Sequence, residues 1–132
     1  MKLVSLTDSL WKGFQGFLEA FGNVEATQVT VDPGESAPRY IAGWIFQKCE
    51  RPDAKNPQTM SCQGASFSYA LKMRAAVSYH YAQQVGRGSE KWHQDRQRVW
   101  IGNSALSHEV SRYMISLQRR KVLFPSLLYF RL

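Results

Sequence analysis

Residues 66–85 read SFSYALKMRAAVSYHYAQQV, and the fold of the chain turns on whether this run is a helix. At 100° per residue, Phe67, Ala70, Leu71, Met73, Val77, Tyr81, Ala82 and Val85 gather on one wide apolar arc, with Tyr69, Lys72, Ala76, Tyr79, His80 and Gln83 on the opposite one. Ser66 or Ser68 can accept from the first free backbone N–H groups, and Gly86 followed by Gly88 supplies a stop. The stretch is predicted to be an amphipathic helix, with one side packed and the other facing out. Arg74 interrupts the apolar arc, where an unpaired charge is costly. It must snorkel, find an internal partner or touch an external anion.

Upstream, residues 3–21 place Leu3, Leu6, Leu10, Phe14, Phe17, Leu18 and Phe21 at three- and four-residue steps, which predicts a first amphipathic helix ending at Gly22 or Asn23. Gly13 and Gly16 each weaken it by roughly 1 kcal/mol relative to alanine, so docking must hold it. Its polar face is not basic, which argues against a membrane-surface helix. Residues 22–37 carry Asp32-Pro33-Gly34 and are expected to be an exposed connector. From Glu35 to Cys49, with Ser36 just before Pro38, the residues Tyr40, Ile41, Trp44, Ile45 and Cys49 share a face. This is a second helix, ended before Pro52, and the aperiodic segment 51–65 is a loop.

Downstream, residues 86–103 mix glycines, cations and the pair Trp92 and Trp100 without a clear period. They are expected to form a loop pinned by the two tryptophans, with a short helical turn between them. A last helix is predicted from Asn103 or Ser104 to about Lys121, with Leu106, Val110, Tyr113, Met114 and Leu117 on its packed face. Arg119, Arg120 and Lys121 would fall in its final turn and complement the helix dipole. Residues 123–132 are apolar, lack capping logic and are expected either to dock on the core or to mark a truncation point. No strand is expected. The predicted fold class is all-α, a bundle of about four helices, divided into an N-terminal helix and connector (1–35), a helical domain (36–122) and an apolar tail (123–132).

A chain of 132 residues with 44% hydrophobic content can bury a core without staples. Its net charge of +7 is uneven: residues 1–40 hold three Lys/Arg against five Asp/Glu, and the remainder fourteen against five. That asymmetry favours a polyanionic partner, nucleic acid before an anionic membrane surface, while a solubilising surface remains the plain alternative. Cys49 and Cys62 are too far apart for a zinc hook and too few for a disulfide framework, so reduced thiols in an intracellular protein are expected. The N-terminus lacks an unbroken apolar core, and the apolar C-terminal run is too short to span a bilayer and holds Pro125. No signal peptide, transmembrane segment or membrane partner is expected.

Catalytic chemistry has little support. His80, His93 and His108 lie in different segments, with no carboxylate or thiol at catalytic or ligand spacing, and no phosphate-cradling glycine loop is present. No catalytic residue, metal, cofactor or small-molecule ligand is expected. The outward arc of residues 66–85, by contrast, offers Ser68, Tyr69, Lys72, Tyr79, His80 and Gln83, groups that contact phosphates and base edges when a helix lies in a major groove. Core packing and solvation account for the same residues without a partner. Arg87 and the Arg119-Arg120-Lys121 cluster would add phosphate contacts.

The runs SYALKMRAAVSYHY (68–81), GRGSEKW (86–92) and VSRYMISLQRRKV (110–122) resemble the N-terminal core-binding, SAM-like domain of tyrosine recombinases of the phage-integrase type, closest to those of fungal mobile elements. The resemblance covers roughly residues 36–122. It implies a compact orthogonal helical bundle forming half of a clamp on double-stranded DNA, with residues 66–85 entering the major groove. It also implies a nuclear protein that acts in DNA recombination and integration. Ser68 and Lys72 would face the groove, Arg74 and Arg87 would meet phosphates, and Arg119, Arg120 and Lys121 would lead toward a linker crossing the duplex. The recombinase nucleophile belongs to a separate catalytic domain that this sequence does not contain, so the chain is expected to bind DNA without cutting it. The alternative is a helical protein-interaction domain whose basic face meets an acidic partner and whose tail completes a homo-oligomer.

Overall fold

The computed structural model describes residues 5–22, 34–50 and 64–130, with the backbone alone for residues 84–85 and 122–130. Among the described residues four α-helices carry the fold: α1 (Leu6–Phe17), α2 (Ala37–Cys49), α3 (Phe67–Val85) and α4 (His108–Phe130). Residues Leu18–Gly22 continue α1 as a π-helical end, and a 3-10 turn, Ser104–Leu106, precedes α4. The architecture is an all-α compact bundle. The connector over residues 23–33 and most of the loop over 51–65 lie outside the described residues.

The helix ends follow from local chemistry. The Ser66 hydroxyl accepts from the Tyr69 N–H at 3.2 Å, and the last turn of α3 closes on Gly86, whose φ of 66° is the left-handed conformation glycine adopts without a steric penalty. Ser5 caps α1 by accepting from the Asp8 N–H at 3.1 Å. Pro38 sits in the first turn of α2, where its missing N–H costs nothing. The predicted start of the last helix is shifted: Asn103 caps the 3-10 turn, accepting from the Ala105 N–H at 2.9 Å, and Ser107 then caps α4 through the Val110 N–H at 3.1 Å. α4 also runs past the predicted stop to Phe130, so Arg119, Arg120 and Lys121 are mid-helix and meet no helix terminus.

The core joins Phe14 and Leu18 of α1, Ile41 and Ile45 of α2, Met73, Val77 and Tyr81 of α3, and Val110 and Leu117 of α4, all buried. Phe14 lies between Trp11 and Trp44, with ring centroids 5.7 and 5.0 Å away. Removing such a ring costs about 3–5 kcal/mol. The side of α3 that packs is rotated from the predicted one by roughly 60° at 100° per residue. Ala76 is buried and His80 half-buried against α1, whereas Leu71 and Ala82 are exposed. α1 packs chiefly on α3, and its Trp11, which fell outside the predicted apolar stripe, supplies the flat surface that draws His80 inward. Leu6, Phe21 and Leu106, expected in the core, are exposed.

The segment expected to be a loop is a β-hairpin. β1 (His93–Gln94) pairs antiparallel with β2 (Trp100–Ile101), placing His93 opposite Ile101 and Gln94 opposite Trp100. The turn is built by Asp95, whose Oδ1 accepts the N–H groups of Gln97 at 2.8 Å and Val99 at 2.9 Å. Arg98 closes it in the left-handed region, φ 63°. Two-residue strands show no readable alternation, and the turn holds no glycine to announce it.

Candidate nucleic-acid interface

Ser68, Lys72, Tyr79 and Gln83 are exposed along one stripe of α3, as the sequence predicts. Leu71, Ala75 and Ala82 share that stripe, so a single cation stands among hydroxyl, amide and small apolar groups. Two of the expected contact residues have turned inward. Tyr69 is half-buried against the core with the Lys48 ammonium 5.8 Å from its ring centroid. His80 stacks on Trp11 at 3.9 Å and 14°, and neither ring nitrogen has a hydrogen-bond partner. Burial pushes its pKa below the usual imidazole value, with Asp8 pulling weakly the other way, so the ring at neutral pH is uncharged and packs as an aromatic.

Arg74 resolves its awkward position internally. Its Nε donates to the Ala105 carbonyl at 2.7 Å and its Nη2 to the Ser111 hydroxyl at 2.8 Å, tying α3 to the turn before α4 and to the first turns of α4 itself. The partner is neither a carboxylate nor an external anion. Burial lowers its pKa, yet guanidinium basicity is high enough to keep it charged.

The Arg119-Arg120-Lys121 cluster does not act as one patch. Arg119 is exposed. Arg120 pairs through Nε and Nη2 with both oxygens of Glu50, the latter contact at 2.8 Å, and also donates to the Ser116 hydroxyl. Glu50, only 1% exposed at the end of α2, accepts as well from the Tyr113 O–H at 2.7 Å. Burial, then that bond to Glu50, holds the Tyr113 phenol far above its usual pKa, which makes it no nucleophile at neutral pH. Lys121 is half-buried, and its charge opposes the burial that raises the Cys49 thiol pKa. Arg87 lies 3.5 Å from Glu90 in an exposed pair of little energetic weight.

The hairpin is what the sequence reading missed. Lys91, His93, Arg96 and Arg98 are exposed along it, and its one acid, Asp95, is occupied by backbone N–H groups. Trp92 and Trp100 stack face to face, centroids 5.3 Å apart and planes within 10°. The density of cations around the two tryptophans was the available signal.

Among the described residues no three His, Cys, Asp or Glu side chains are grouped to hold a metal ion, and no helix is long and apolar enough to cross a membrane. Cys62 lies outside them, and His80 and His93 sit in separate elements. No family model, curated protein or solved structure matches the chain.

Proposed function

We propose that this chain is a non-catalytic module that grips double-stranded DNA in the nucleus, in the manner of the core-binding domains of tyrosine recombinases. The charge left over after internal pairing supports this reading. Glu50, Glu90 and Glu109 are each matched by an arginine, whereas Lys72, Lys91, Arg96, Arg98, Arg112 and Arg119 are exposed without an acidic partner among the described residues. Of the described acids without an arginine partner, Asp8, Glu19 and Glu35 belong to the first 35 residues, and the fourth, Asp95, is occupied by the N–H groups of its own turn. A surface so divided binds a phosphate backbone and releases counterions as it does so.

Arg98 adds weight. A side chain in the left-handed region costs roughly 1 kcal/mol that glycine would not, and here the cost places a cation at the hairpin tip.

The test is duplex affinity measured across salt concentration. Lys72→Ala and Arg119→Ala should each lower the log–log slope by about one unit, while Arg74→Ala and Arg120→Ala should leave it unchanged because their guanidinium groups are committed inside. A wild-type slope near zero would sink the reading. The rival, a protein-interaction helix, rests on the apolar content of the α3 stripe, where Leu71 and Tyr79 are 46% and 49% exposed. A concentration-dependent dimer in light scattering that ignores DNA would favour it.

A further inference from the structure

Between the hairpin and the starts of α2 and α4 lies an open cleft of about 680 Å³. That volume is in the range of sites that hold small ligands. Trp92 and Trp100 line the cleft as one stack, their inner faces covered by each other, and form its aromatic wall. Around it stand Arg39 and Glu109, 3.5 Å apart, and then Arg112 and Glu35, which have no ion-pair partner among the described residues.

The wall is held in place. Gly102 has φ 102°, and a Cβ there would lie 2.2 Å from the Lys91 carbonyl oxygen, so only glycine lets the two arms of the hairpin base close. The next residue, Asn103, is fully buried, and its Nδ2 donates to the Ser78 hydroxyl at 3.1 Å and the Gly88 carbonyl at 2.9 Å. Trp92 and Trp100 therefore meet a ligand already stacked, with little ordering left to do on binding.

We infer that this cleft takes a nucleotide, its base extending the Trp92/Trp100 stack on the ring face that the pair leaves uncovered, its phosphate on Arg112, and the amino edge of the base donating to Glu35. The chemistry excludes the other candidates. An acyl chain would strip water from four charged side chains and return nothing. A methylated ammonium favours aromatic faces that enclose it and an excess of acid, whereas these rings are parallel and the hairpin's Lys91, Arg96 and Arg98 repel cations. An unpaired base of a single strand and a free nucleoside phosphate share the required features. The cleft lies off the α3 stripe but shares Arg112 and the hairpin with the proposed duplex surface, and binding of a mononucleotide tests it apart from duplex gripping.

The measurement is quenching of tryptophan fluorescence in the full chain by deoxyadenosine monophosphate, deoxyadenosine and a single-stranded hexamer of deoxyadenylate. Base–aromatic stacking predicts that Trp100→Leu weakens binding of all three by roughly five- to a hundredfold. Arg112→Ala, an exposed change that leaves the fold intact, should weaken the monophosphate and the hexamer several-fold and leave the nucleoside unaffected. Should Trp100→Leu fail to fold, Trp100→Phe keeps a smaller wall and should weaken all three partially. A hexamer more than tenfold tighter than the monophosphate identifies a strand as the source; equal affinity identifies the free nucleotide. Absence of quenching at millimolar nucleotide, an Arg112→Ala variant that binds the monophosphate like wild type, or equally tight binding of free tryptophan would each overturn the assignment. Duplex binding with a normal salt slope but no nucleotide quenching overturns this site alone.

Discussion

Replacing Arg120 with methionine isolates the contribution of the buried carboxylate at the end of α2. Methionine keeps most of the aliphatic stem but withdraws every donor that Arg120 gives to Glu50, which is left 1% exposed with the Tyr113 hydroxyl alone. Breaking a fully buried ion pair from one side costs about 3–5 kcal/mol. The Arg120 side chain is 36% exposed, so water can enter behind it, and about 2–3 kcal/mol is the expected loss. At roughly 3–5 °C per kcal/mol for a chain of this size, the melting temperature falls by about 6–15 °C. Glu50→Gln is milder, about 1 kcal/mol, because the amide oxygen still accepts from Tyr113 and Arg120. Combining the two should cost less than their sum, since no charge is then left buried alone, with a coupling of about 1–2 kcal/mol in urea denaturation. Arg120→Met within 0.5 kcal/mol of wild type, or strict additivity in the double variant, would refute the reasoning.

Three further outcomes are expected. His80 has its folded-state pKa lowered by burial, so the unfolded chain binds the proton more readily. Its contribution to stability is complete above the unfolded value of about 6.5 and is lost as pH falls below it; His80→Phe, which keeps the stack on Trp11, should flatten the melting temperature between pH 7.5 and 5.5. Asn103→Ala should cost about 2–3 kcal/mol by leaving the Gly88 carbonyl and Ala105 N–H short of partners, with the Trp92/Trp100 exciton couplet in far-UV circular dichroism lost first. Arg98→Gly should raise stability by roughly 1 kcal/mol while lowering the salt slope of duplex binding, a trade visible by pairing a melt with a binding titration.

The helices were legible because their signals are local. The caps at Ser66 and Gly86 and the proline in the first turn of α2 act within a few residues, and each stands where the sequence places it. The orientation of α3 was not legible, because a helical wheel weighs only the helix's own residues. Ala76 and His80 are assigned outward by their neighbours on the wheel, yet both are turned in, His80 onto Trp11, which is distant in sequence. The hairpin escaped for a different reason: its order comes from the close approach of Gly102 to the Lys91 carbonyl and from Asn103, whose N–H donates to the Glu90 carbonyl and whose side chain donates to that of Gly88, contacts with no sequence period.

Charge reading failed and succeeded by the same rule. Arg74 and Arg120 look on paper like Lys72 and Arg119, but each faces a backbone or carboxylate oxygen that folding would otherwise strand. The 3-10 turn is closed on the Asn103 and Ser104 carbonyls, and the Ala105 carbonyl at the break before α4 takes its hydrogen bond from Arg74 Nε across the bundle. Arg120 does the same for Glu50. A cation in a basic protein is therefore available to a polyanion only after the fold's own acceptors are satisfied. In this chain, that condition moves the proposed contact surface away from the middle of α3 and toward Lys72, the hairpin and the outer face of α4.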